Sequence, residues 1–127
     1  MSFAEEASGL ARAVVALAGR PADELERQLL AAFLFGAVNA LALERGAQPP
    51  EAHGATLAAL VAELGRAPGP AAEEVQFLIE ATAPGYHPTV FAVIHRGMEG
   101  YYSWAEGDGP AVAGNFADIV RIVREEA

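Results

Sequence analysis

The chain contains no cysteine and no lysine. Without cysteine there can be no disulfide scaffold, no thiol nucleophile and no thiolate ligand for a metal. All eight basic residues are therefore arginines, set against 17 acids for a net charge of −9. Residues 1–48 carry 6 acids and 4 arginines, 49–86 carry 5 and 1, and 87–127 carry 6 and 3, so the excess is spread and is no acidic tail. Such a field repels nucleic acid and anionic membranes. Solubility alone accounts for it, although it would also favour a basic partner. Serine is scarce: Ser2, Ser8 and Ser103 are the whole set, none in a nucleophile-elbow setting. GMEG and GDGP lack the lysine and strand context of a phosphate-binding loop. The opening MSFAEEASGL has neither a cationic leader nor an apolar signal core. The longest apolar run, Leu29 to Leu43, is broken by Gly36 and Asn39 and is too short to span a bilayer. A soluble cytoplasmic protein is expected.

What the chain has in plenty is aliphatic. Hydrophobic residues make up 53% of its 127 residues, enough for one domain that buries roughly two-thirds of its unfolded surface. Ser2 with Glu5 has the form of a capping box, and a helix follows over 3–18 with Leu10, Val14 and Leu17 on one stripe. Pro21 is placed in the first turn of a second helix that runs to residue 44 or 45, with Gly46 as its stop. That helix is apolar nearly all round, which marks a central element or a subunit interface; the central position is favoured, and a homodimer through helix 21–45 is the other use. Further helices are predicted over 51–64, over 71–83 after a turn at 65–70, and over 116–125 with Asn115 as cap. The fold class is all-α, a single-domain bundle of five to six helices over 1–127.

Residues 87–104, HPTVFAVIHRGMEGYYSW, hold the greatest concentration of chemistry-bearing side chains. Thr89, Val90, Phe91, Val93 and Ile94 are strand formers, and GMEG could turn a small β-hairpin at 89–104. An isolated hairpin is marginal in water, however, and nothing else offers it a third strand. The helical alternative puts Val90, Ile94, Gly97, Tyr101 and Trp104 on one stripe. It is preferred, with a break or distortion near Gly97, and the glycine pair would make sense where another helix crosses closely.

His87 and His95 would lie two turns apart, roughly 12 Å at 1.5 Å per residue, too far for joint chelation, so no metal is expected and no cofactor. His95 could act as a general base with Arg96 steadying an anion and Glu99 orienting the ring; the plainer account is a partly buried His95 hydrogen-bonded to Glu99. Tyr86, Tyr101, Tyr102, Trp104 and Arg96 are residue types that dominate protein interfaces. Tyr101 and Tyr102 point about 100° apart on a helix, so both cannot be core; which one is exposed stays open. Glu106 and Asp108 would add negative charge beside them.

The run HPTVFAVIHRGMEGYYSW followed by NFADIVRIV resembles the C-terminal part of a small all-helical family of immunity proteins from bacterial polymorphic toxin systems. The resemblance rests on Pro88, Thr89, His95, Arg96, Gly97, Gly100, Tyr101 and Trp104, and the N-terminal helices share only length and helical character. It implies no catalytic residues and a cognate toxin that is bound and blocked. The expected partner is a basic toxin domain, met through His95, Arg96, Glu99, Tyr101, Tyr102, Trp104, Glu106 and Asp108. The alternative is a small enzyme or ligand-binding domain with a pocket around His95, Arg96, Glu99 and Tyr101.

Overall fold

The structure, a computed structural model, describes residues 1–126. Its six helices are α1 (Phe3–Ala18), α2 (Glu24–Arg45), α3 (Pro49–Leu64), α4 (Pro68–Glu80), α5 (Pro88–Ala105) and α6 (Gly109–Glu126). The described residues contain no strand, so the hairpin at 89–104 gives way to helix. The local reasons are plain. Pro88 opens α5, where a missing N–H costs nothing, and His87 Nδ1 accepts the Val90 N–H at 3.3 Å.

The expected break at Gly97 does not occur: α5 is continuous. A Cβ on Gly97 would overlap the Phe33 carbonyl of α2, and one on Gly36 would overlap the Ile94 carbonyl of α5. A Cβ on Gly100 would stand 2.6 Å from Cζ of Phe33. The glycines thus let two backbones touch, and the gain in contact offsets the roughly 1 kcal/mol that each costs within a helix. The two helices run side by side in one direction. Leu25, Leu29 and Ala32 share a groove with His87 and Val90 at their starts, and Tyr101 Oη donates to Glu44 Oε1 (2.7 Å) near their ends.

Helix α2 is the central element, packed on each of the other five, and every residue from Leu29 to Val38 is buried. One buried cluster draws on all six helices, and Phe33 meets Phe116 of α6 edge to face at 5.6 Å. A dimer through 21–45 needs Phe33, Phe35 or Val38 at the surface. All three lie inside the single chain, at 0, 1 and 0% exposure, so the face considered for a second copy is already filled. By length and mean hydropathy (1.2 over 18 residues) α2 could cross a bilayer, contrary to the expectation from its broken apolar run, but 72% of that window is covered by the fold.

Four boundaries differ from expectation: at α2, α3 and α6 a carboxylate takes a backbone N–H at the helix start, and at α4 Pro68 itself opens the helix. Asp23, not a residue near Pro21, caps α2 by accepting the Glu26 N–H at 3.0 Å. Helix α3 begins at Pro49, where Glu51 Oε1 takes the Gln48 N–H (3.1 Å). Helix α4 starts three residues early, at Pro68, and ends at Glu80. Helix α6 starts at Gly109, since Asp108 Oδ1 accepts the Ala111 N–H (3.1 Å); Asn115 is therefore mid-helix.

Candidate interaction surface

Asn115 is occupied by Arg96. Arg96 Nε donates to Asn115 Oδ1 (2.6 Å), its Nη2 to Asp118 Oδ2 (3.1 Å), and Asn115 Nδ2 returns a bond to the Arg96 carbonyl (3.1 Å). Arg96 is thus a clamp between α5 and α6, and no free anchor. Arg121 and then Arg96 hold the Asp118 carboxyl below its ordinary range by hydrogen bonding.

The two tyrosines divide as the helix requires. Tyr101 is buried, at 2% exposure, and Tyr102 lies outside at 46%. Burial first, then the bond to Glu44, pushes the Tyr101 phenol up to about 12. Trp104 is half-buried on the core, 6.2 Å from the Tyr101 ring. His95 is exposed, and its partner is the Phe91 carbonyl (3.0 Å from Nδ1), not Glu99; its ring also packs on Phe91 at 4.3 Å. Glu99 instead leans toward Arg96 at 3.6 Å.

What remains outward on α5 is a stripe at steps of four, three and four: His95, Glu99, Tyr102 and Glu106, all exposed. Half-buried Phe91 and Met98 flank it. Sequence reasoning passed over both of these, and also Leu43 on α2, which is 71% exposed beside Glu44. An apolar residue inside an apolar run gives no sign that it will face outward.

The charge around the stripe is negative for a structural reason. Six of the eight arginines are in ion pairs, and among the described residues only Arg12 and Arg20 are not. Arg45 ties α2 to α1 through Glu6 (3.0 Å), Arg27 ties α2 to α4 through Glu74 (2.9 Å), and Arg124 ties α6 to Asp23 and Glu26 (2.8 and 2.7 Å). Because Arg27 takes both oxygens of Glu74, Arg66 Nε is left buried without a hydrogen bond, 3.6 Å from Glu74 Oε1. Glu44, Glu106 and Asp108 are in no ion pair, so part of the chain's excess negative charge lies there.

The pocket imagined around His95, Arg96, Glu99 and Tyr101 does not form. Tyr101 turns to α2, Arg96 to α6, and His95 to its own helix. Of the four, only Arg96 borders a principal cleft. No group of three His, Asp or Glu among the described residues could hold a metal ion. His53 stacks on Phe35 (5.9 Å) and His87 meets the edge of Phe77 (5.6 Å).

The chain is thus an acidic helical bundle with Tyr102 left outward on α5. The family model of Immunity protein 48 matches residues 3–124. The chain belongs to that family. The match takes in all of α1 to α5 and most of α6, well beyond the C-terminal stretch on which the resemblance rested. No curated protein and no solved structure matches the chain. Within the Immunity protein 48 family, then, the features above are those of this member.

Proposed function

We propose that this Immunity protein 48 family member acts in the cytoplasm as a single helical domain that binds and neutralises a cognate polymorphic toxin. The contact surface is the outward stripe of α5 and its surroundings: His95, Glu99, Tyr102 and Glu106, joined by Asp108, Met98 and Leu43. Arg96, Tyr101 and Trp104 support this surface from within. The observation that carries the reading is Tyr102, a large aromatic left half exposed on the stripe between Glu99 and Glu106, of which Glu106 is in no ion pair. Aromatic anchors of this kind slow dissociation, while dispersed negative charge speeds encounter with a basic partner.

The test is binding to, and protection from, a candidate cognate toxin domain. Tyr102→Ala should weaken affinity about 30-fold, the size of a 2 kcal/mol hot spot, with the melting temperature unchanged. Glu106→Arg should act chiefly on the association rate and on its salt dependence. Equal affinity in both variants and wild type would remove the stripe from the interface.

A further inference from the structure

A second surface lies at the other end of α5. Leu29, Ala32, Phe77, Leu78, Val90 and Val123 line a groove of about 570 Å³ where α2, α4, α5 and α6 meet. It continues past Thr89 and Val123 into a cleft of about 320 Å³ between α5 and α6, bordered by Ala92, Ile119 and Ile122. From His87 to Arg96 the α5 wall is about 14 Å long at 1.5 Å per residue, room for two to three helical turns. Phe77 and Tyr86 stand at one edge with their rings 6.4 Å apart, at 36 and 56% exposure.

The charge of the groove is one-sided. Two arginines border it: Arg96 is hydrogen-bonded to Asn115 and Asp118, and Arg66 faces Glu74 and Glu24 at 3.6 and 4.0 Å without a hydrogen bond to either. Glu73 and Glu126 line it with no cationic partner. Glu80, one turn from Phe77, is held only by neutral groups, Gln76 and the Tyr86 hydroxyl, which donates at 3.3 Å. An incoming cation would meet carboxylates without a competitor, whereas an incoming acid would meet those carboxylates and find Arg66 already shared between Glu74 and Glu24.

We propose that this groove receives a short amphipathic helix of the partner, apolar on the face laid against Leu29, Phe77, Val90 and Val123 and basic along its flanks. Helix-in-groove recognition needs an apolar floor of this length and a charged rim that fixes orientation. The proposal rests on the toxin-binding reading and adds a second contact to the α5 stripe, with Arg96 between the two.

Two measurements decide it. In the first, a 14-residue amidated leucine–lysine helical peptide is titrated into ¹⁵N-labelled protein, with a leucine–glutamate peptide as control. The cationic peptide should shift amides at Leu29, Phe77, Val90 and Val123, and Thr89→Arg, an exposed change on the groove wall, should weaken it at least tenfold. Glu73→Lys should weaken it as well. Scattered shifts, or equal binding of the acidic peptide, would overturn the proposal. In the second, Thr89→Arg is titrated with the toxin domain that wild type binds: a loss of tenfold or more supports the groove, and unchanged affinity sinks it while leaving the α5 stripe intact. A wild-type protein that fails to bind the toxin removes the toxin-binding reading instead, and with it the groove's partner.

Discussion

Tyr101 and Tyr102 differ by one position and have opposite fates. A helix turns 100° per residue, so the same phenol is a core strut at one position and a surface side chain at the next. The strut can be read directly. Because burial and Glu44 push the Tyr101 phenol up to about 12, an ultraviolet pH titration should show one tyrosine ionising near that value, and Tyr101→Phe should abolish the step. The sign for stability follows. The folded chain keeps a proton that the unfolded phenol gives up near 10, so stability falls as pH rises from 10 toward 12. The sequence identified the pair and the rule that separates them but not which was which, since both faces of α5 carry large side chains. The packing of Arg96 was hidden for a related reason. An arginine in an apolar run looks like an anchor, and only Asn115, 19 residues on, makes it a clamp.

At the scale of elements, the α2–α5 contact governs the position of everything on α5. Gly97→Ala places a methyl against the Phe33 carbonyl, a backbone atom that cannot rotate aside. The expected cost is about 3 kcal/mol, the upper end of overpacking penalties, seen as a lower midpoint in urea. Gly54→Ala in α3, where a Cβ meets open space, should instead gain up to about 1 kcal/mol. Both outcomes in one denaturation series would separate close approach from helix propensity. Helix existence was legible in five segments from 3.6-residue periodicity, whereas over 89–104 strand formers and the GMEG turn competed with it. The errors lie at starts: Asp23, Glu51 and Asp108 take backbone N–H groups that no hydrophobic pattern reports. The glycines of α5 point to a closely crossing helix as well as to a break, without saying which helix crosses. Their role depends on Gly36, 61 positions earlier in the sequence numbering, and on a contact visible only once the helices pair.

For the whole molecule, acid is the condition that tests the clamps. Hydrogen bonds and arginine charge hold Glu6, Asp23, Glu24 and Asp118 below their ordinary values, Glu6 through Arg45, Asp23 through the Glu26 amide and then Arg124, Glu24 through Arg27, and Asp118 through Arg121 and Arg96. A carboxyl with a depressed folded pKa stabilises the fold above its unfolded value and loses that contribution as pH falls through the folded one. The melting temperature should therefore drop as pH goes from about 5 to 2, with little change between 6 and 8. Salt at 1 M should flatten that slope, since these pairs are exposed and screened. A melting temperature unchanged down to pH 2 would mean that the arginine clamps contribute nothing measurable.

The meeting of Gly36 with Gly97 also says something about time. Joining these two points closes a loop of about 60 residues, an entropy cost that grows only slowly with length but must be met before any contact returns it. Helices α1 to α3 can form from neighbours in sequence, yet the interface that aligns α5 is non-local, and non-local contacts set the pace of folding. A chain still emerging from its ribosome has α2 but not α5. Its most deeply buried helix is then bare along the stripe that the glycines later cover, and the fold is complete only when its last third arrives.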